Sequence, residues 1–220
     1  MLACLPAVIG AQVSEKPSNE LPGVATAALH KSLEAAGGHA THVWRDTPPT
    51  TADGDVNAYV EIPRGDRRKW EFDMRANARA IDRVMPADVG GYPVNYGFVP
   101  QTVSYDGDPF DVLVLGPPLP GGRIVRGRIV GLMIMEDEKG ADSKVVVSPI
   151  GPAGKPIHQL TDAEKNRIAE YFRRYKQHDP KTFSRVPGWG EASDGRAHVD
   201  VTHAFFLRCR AHADTACRLN

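Results

Sequence analysis

Residues Asn57–Met74 read NAYVEIPRGDRRKWEFDM, two segments of alternating apolar and polar side chains on either side of the polar run RGDRR. Alternation with period two turns one face of an extended chain to a core and the other to solvent. Two such segments joined by a short polar run predict a β-hairpin. The same texture continues downstream at FVPQTV, FDVLVLG, RIVRGRIVGLMIM and KVVVSPI, broken by PPLPGG and EDEKGAD. Strands this short and closely spaced predict an antiparallel barrel or sandwich. A helix follows. Thr161-Asp-Ala-Glu164 has the capping-box pattern, and Ile168, Tyr171, Phe172 and Tyr175 recur behind it at helical spacing. A second helix is expected in the Glu191–Ala211 region. The expected fold is mainly β (α+β), a barrel flanked by C-terminal helices.

Composition narrows the function classes. Among 220 residues, Lys plus Arg equals Asp plus Glu at 27 each, so no overall field favours nucleic acid or an acidic membrane surface. Glycine (21) and proline (18) suit strands and loops more than a helical bundle. No apolar run approaches the ~18 residues that span a bilayer. Residues 12 to 55 hold PSNELPG, AAGGH and DTPPTTADGD, with one short amphipathic patch near Ala25–Ala36. Residues 1–42 therefore read as an extension packed loosely on a domain over 43–220. Met1–Ala11, MLACLPAVIGA, is apolar and ends in small residues but lacks a positively charged start. It reads either as a truncated secretory signal or as an N-terminal tail. Of three cysteines, Cys4 falls in that segment; Cys209 and Cys217 form an even pair that bridges in an oxidising compartment or stays as free thiols in a reducing one.

The chemistry concentrates in SYDGDPFDVLV, Ser104–Val114, with three carboxylates in six residues beside an apolar run. Asp106 and Asp108 share a face of an extended chain, and Gly107 and Pro109 permit a bend that gathers Asp111 with them. Carboxylates converging without cations titrate upward or cost several kcal/mol. A hard divalent metal removes the conflict, because Mg²⁺ favours carboxylate oxygen. A polar turn is the plain alternative. An EF-hand calcium loop fails: counting from Asp106, positions five, six and twelve are Phe110, Asp111 and Pro117 where that loop needs an oxygen ligand, Gly and Glu.

Other segments supply companions, each with a bland reading. MEDEKGADSK offers Asp137, Glu138, Asp142 and Lys144, or a solvated turn. Lys69 and Glu71 share one face of KWEFDM, with Glu61 on the strand before, which a surface strand explains equally. Arg83 lies in the apolar context AIDRVM, where a buried guanidinium needs an anion. Tyr92 and Tyr96 occupy GYPVNYGFVP, where core packing is the alternative. Tyr175 and Lys176 close the first helix, one on its apolar stripe and the other favouring its C-terminus.

Taken in order, VEIPRG with KWEFD, IDRVM, GYPVNYGFVPQT, DGDPFDVLV, MEDEKGADSK and YFRRYK resemble the soluble, magnesium-dependent, family I inorganic pyrophosphatases over Val43–Tyr175. The resemblance implies a five-stranded OB-like barrel with flanking helices. It also assigns roles. Asp106, Asp111, Asp137 and Asp142 match the metal ligands, and Asp108 matches the general base. Lys69, Arg83, Tyr96, Lys144, Tyr175 and Lys176 match the substrate-binding groups. Glu61, Glu71, Tyr92 and Glu138 match further residues lining the site. The long N-terminal extension and the tail CRAHADTACRLN depart from the family's pattern, outside the site.

The implied reaction is hydrolysis of inorganic diphosphate to two phosphates by a water bridging two Mg²⁺, whose pKa falls from 15.7 toward ~7, with Asp108 taking its proton. The site's eight carboxylates outnumber its four cations by four, and pyrophosphate adds four negative charges, so about four Mg²⁺ balance the closed complex. Mn²⁺ or Zn²⁺ are possible substitutes. Two other readings compete. An oligonucleotide- or oligosaccharide-binding OB module requires a basic, aromatic-rich groove, which neutral charge and 7% aromatics oppose. A metal hydrolase of nucleotides or longer polyphosphates keeps the same site, without an obvious base-stacking pocket. By resemblance the protein is a homo-oligomer, hexamer or dimer, in the cytoplasm; the signal-like N-terminus points instead to export.

Overall fold

The computed structural model describes residues 16–210 and the backbone of 217–218; the signal-like 1–11 segment and Cys4 lie outside the described residues. The chain runs through β1 (Glu20–Leu21), α1 (Gly23–Ala36), a single turn α2 (Val43–Asp46), β2 (Val56–Ile62), β3 (Arg68–Asp73), β4 (Ala78–Val84), β5 (Asn95–Phe98), β6 (Asp111–Val114), β7 (Ile124–Asp137), β8 (Gly140–Ala141), β9 (Lys144–Pro149), α3 (Asp162–Arg174), β10 (Ser184–Gly190), α4 (Ala192–Cys209) and β11 (Cys217–Arg218).

The alternating segments of Asn57–Met74 are both strands, but they are not partners. β2 pairs with β5 and β7, whereas β3 pairs with β4. The expected hairpin across RGDRR is thereby corrected. Pro63, which has no N–H for a ladder, follows β2, and Gly65 at φ 88° turns the chain away from the β2 edge. The partner of β3 is the charged, mostly exposed Ala78–Val84, too polar to stand out as a strand. FVPQTV is corrected too. The strand starts earlier, at Asn95, and stops at Phe98, before Pro100 and the left-handed Gln101 (φ 51°).

Five strands close on themselves. β7, β2, β5, β6 and β9 are successive neighbours, and β9 returns to pair with β7. Closure leaves no exposed edge among these five. Every junction is antiparallel except β6–β9, which is parallel. The apolar run of β6 is buried on both faces. Val112 and Val114 pack with Val56, Leu132, Val145 and Val147, while Leu113 packs with Ile62, Met133, Val146 and the α3 residues Ile168 and Phe172. A strand covered on both sides loses its alternation and reads as a continuous apolar run.

Both C-terminal helices form where expected. The Thr161 hydroxyl accepts from the Glu164 N–H to start α3, and Glu191 with Asp194 makes a complete capping box for α4. The amphipathic patch at Ala25–Ala36 is α1, and it is packed closely, not loosely. Leu21, Ala25, Leu29 and Ala36 are fully buried with Trp44, Tyr59, Phe98, Phe205 and Phe206. A fully buried leucine is worth roughly 1.5–3 kcal/mol, so Leu21 and Leu29 anchor this segment firmly. Cys209, at the end of α4, is disulfide-bonded, and the backbone of Leu21 pairs with that of Cys217.

Candidate active site

The loop between β5 and β6 is wound tight by its own hydrogen bonds. Ser104 N–H donates to the Asp108 carbonyl at 2.7 Å, Gly107 N–H to the Ser104 carbonyl at 3.0 Å, and Asp108 N–H to Asp106 Oδ1 at 3.1 Å. Gly107 holds φ 94°, and a side chain there would collide with Ala28 on α1. Helix α1 thus floors the aspartate loop. Asp111, the first residue of β6, points its carboxylate into the same cleft, which has a volume of about 620 Å³.

The sequence-predicted residues meet there. Asp106, Asp108, Asp111, Asp137, Glu138, Asp142, Glu61, Glu71, Lys69, Arg83, Tyr92, Tyr96, Tyr175 and Lys176 all line the cleft. Lys144 does not. It lies beneath the wall, 2% exposed, with its ammonium 2.5 Å from Asp111 and 2.8 Å from Asp142. Burial alone would lower the pKa of that ammonium, but Asp111 and Asp142 hold it raised. Lys144 also lies 5.7 Å from the Tyr96 ring centre and 5.9 Å from that of Phe172.

The remaining lysines of the site also face carboxylates, at varied distance and exposure. Lys176 reaches Asp137 at 2.7 Å and Glu138 at 2.8 Å. Lys69 pairs with Glu71 and lies 3.4 Å from Asp82. Lys139, which no pattern in MEDEKGADSK sets apart from a solvated turn, lies 3.6 Å from Asp106 and 4.0 Å from Asp108. Asp82 was missed as well, for it sits in the unrecognised β4. The expectation that Arg83 is buried in an apolar setting is overturned. Its side chain is 49% exposed and 3.2 Å from Asp82, because β4 is an outer strand whose side chains face solvent and the cleft. Ser32 and Met74 also line the cleft; no local pattern marks either.

The carboxylates outweigh these cations. Burial pushes Asp142 up to about 7, against the pull of Lys144 and with the added repulsion of Asp111 and Asp137. Asp108 lines the cleft with a largely accessible side chain and has Asp106 beside it. Desolvation by the surrounding cleft and the charge of Asp106 push its carboxyl up to about 6 against the pull of Lys139. Glu61 is buried and pushed well up by desolvation and by Asp111, although it accepts the Phe72 N–H at 2.7 Å. The hydroxyls of Tyr92, Tyr96 and Tyr175 are kept protonated by burial, which leaves them as donors. Among the described residues, no three of His, Cys, Asp and Glu are grouped closely enough to hold a metal ion as they stand; most of the site carboxylates turn to a lysine instead. The donor chemistry nevertheless fits a hard divalent cation. All the donors are carboxylate oxygens, and three of them are pushed toward protonation, by burial first and by neighbouring carboxylates after it.

The family model described as inorganic pyrophosphatase matches residues 58–206. The chain belongs to that family. An inorganic pyrophosphatase of Saccharolobus solfataricus is 35% identical over 159 residues, covering 69% of this chain and 92% of that protein. Among solved structures, the inorganic pyrophosphatase of Thermus thermophilus superposes with a TM-score of 0.69 at 33% identity, covering 76% of this chain and 99% of that one. That of Coxiella burnetii gives 0.67 at 36% identity, covering 73% and 99%. The five-strand ring is the OB-like barrel of these pyrophosphatases, hydrolases that act on diphosphate bonds and as a family require a divalent metal. The family match begins at 58, so α1, the floor of the aspartate loop, lies outside it. Among the described residues no helix is long and apolar enough to cross a membrane.

Proposed function

We propose that this protein hydrolyses inorganic diphosphate to two phosphates with Mg²⁺ as its metal and Asp108 as general base. One observation carries the reading: in a chain of this family, every residue matched to the family's site except Lys144 lines a single cleft, and Lys144 supports it from below. Asp106, Asp111, Asp137 and Asp142 would hold the metal ions, with Glu61, Glu71 and Glu138 adding negative charge around them. When bound, Mg²⁺ would lower the pKa of the attacking water and offset charge on the phosphoryl oxygens.

The chain's own groups do the rest. Asp108 takes the proton of the attacking water, and its accessible position at the cleft mouth suits it to receive one. Arg83 and Lys69 are held only by neighbouring surface carboxylates, so they exchange readily onto phosphoryl oxygens. Lys176 and the protonated hydroxyls of Tyr96 and Tyr175 line the same cleft and donate there. Lys144 acts from beneath by fixing Asp111 and Asp142, a supporting position distinct from the direct substrate contact expected of it. No side chain has to carry a phosphoryl group. The same donor set admits Mn²⁺ or Zn²⁺. We place the enzyme in the cytoplasm as a homo-oligomer, hexamer or dimer, with export as the alternative that the N-terminal segment raises.

The test is phosphate release from pyrophosphate by the purified full chain, with Mg²⁺ and with chelator. Rapid release that chelator abolishes is expected. Release that persists in chelator would remove the metal from the proposal, and no release by folded protein with any of the three metals would remove the reaction.

A further inference from the structure

The four lysines of the site are held very differently. Lys144 and Lys176 are buried or nearly so, and each has contacts of 2.8 Å or less to two carboxylates. Lys69 is also mostly buried, against Glu71 and Asp82. Lys139 is 58% exposed and makes the two longest contacts of the set, 3.6 Å to Asp106 and 4.0 Å to Asp108. Its backbone is fixed, since its N–H donates to Asp137 Oδ1 at 2.8 Å within the turn joining β7 to β8. A backbone held in the β7–β8 turn thus carries an exposed ammonium to the aspartate loop.

The partners of Lys139 are informative. Lys144 serves Asp111 and Asp142, and Lys176 serves Asp137 and Glu138, which leaves Asp106 and Asp108 to Lys139 alone among the lysines. An ammonium is a point charge without a preferred coordination geometry, and an exposed ion pair is worth little. It offsets repulsion between the two carboxylates and gives way easily to a dication.

We propose that Lys139 is a positioning residue whose ammonium, held between Asp106 and Asp108, competes with Mg²⁺ for the carboxylate oxygens of Asp106. Resting on the metal reading above, this makes Lys139 the group that sets how much Mg²⁺ the protein needs before the aspartate loop is loaded. It holds the loop's two carboxylates in place at low Mg²⁺ and withdraws toward solvent as the ion arrives.

The experiment is a calorimetric titration of Mg²⁺ into the full chain without substrate, for the wild type, Lys139→Met and Lys139→Arg, at low and high ionic strength. Lys139→Met should bind its tightest ion roughly two- to fivefold more tightly than the wild type, the scale of an exposed ion pair. Lys139→Arg, which keeps the charge, should stay near the wild type, and the gap should narrow as salt screens the pair. Wild-type affinity in Lys139→Met, or the same gain in Lys139→Arg, would overturn the role of Lys139 and leave the metal reading standing. A wild type that binds no Mg²⁺ would overturn both.

Discussion

Strand β7 begins beside one knot of charge and ends in another, and the two are finished to different degrees. At its start, Arg126 and Arg128 both hold the fully buried Asp55, with Asp53 outside them. The bond from Arg128 leads in drawing the Asp55 carboxyl below its usual range, and Arg126 adds to it against the opposing effect of burial. At its end lie Asp137 and its neighbours, where Asp142 and Asp108 are driven up to about 7 and about 6. Two guanidiniums converge on one carboxylate at the first knot, while at the second each lysine is shared between carboxylates. The first cluster is complete as protein. The second is short of positive charge, and that shortage is what distinguishes a site built to receive cations from an ion pair that holds a fold.

Substitutions at the two ends should separate these roles. The largest effect is expected from Asp108→Asn, which removes the proposed proton acceptor and should lower turnover roughly 10²- to 10⁴-fold, with the melting temperature unchanged. Full activity in that variant, measured by phosphate release, would break the assignment. Lys144→Met leaves Asp111 and Asp142 without their shared partner and should cost about 3–5 kcal/mol of stability, part of it recovered on adding Mg²⁺. Its counterpart, Asp55→Asn, should cost roughly 2 kcal/mol with no recovery by Mg²⁺ and little change in turnover. Urea unfolding of both variants with and without Mg²⁺ checks the pair, and equal rescue of both would erase the contrast.

The smallest effect concerns protons. Asp142 and Asp108 have folded pKa values above the ordinary 3.8, so the folded chain keeps these protons to higher pH than the unfolded chain. Their contribution favours folding at low pH and is lost as pH rises toward about 6 and about 7. A metal ion needs the carboxylate, so Mg²⁺ binding at about pH 5.5 should release roughly one to two protons, and at about pH 8.5 almost none. Calorimetry in buffers of different ionisation enthalpy reads this directly; release that does not change with pH would mean that neither carboxyl takes part.

How far these features can be read from the sequence depends on whether their causes are local. The caps of α3, the existence of strands β2 and β3, and the crowding of Asp106, Asp108 and Asp111 each rest on a few neighbouring residues and are legible, although β2 is buried on both faces where its alternation predicts one facing solvent. Pairing was not. β3 seeks β4 because of a turn at Gly65 and an outer strand too polar to register, and the parallel β6–β9 contact joins segments thirty residues apart. Lys139 was overlooked for the same reason, because its partners lie in the aspartate loop and nothing in MEDEKGADSK points to them. The family resemblance covered the matched positions, and neither Lys139 nor the α1 floor is among them.

The parallel junction of β6 and β9 has a consequence for how the enzyme comes into being. Because Val112 stands beside Val145 with both strands running the same way, Asp111 and Lys144 emerge together at one rim. Antiparallel strands would have sent them to opposite rims. Sealing the barrel and assembling the floor of the site are therefore a single event. In a chain whose ring is still open, Asp111 and Lys144 are not yet side by side. A divalent ion that binds the sealed form and not the open one would draw chains toward closure by mass action.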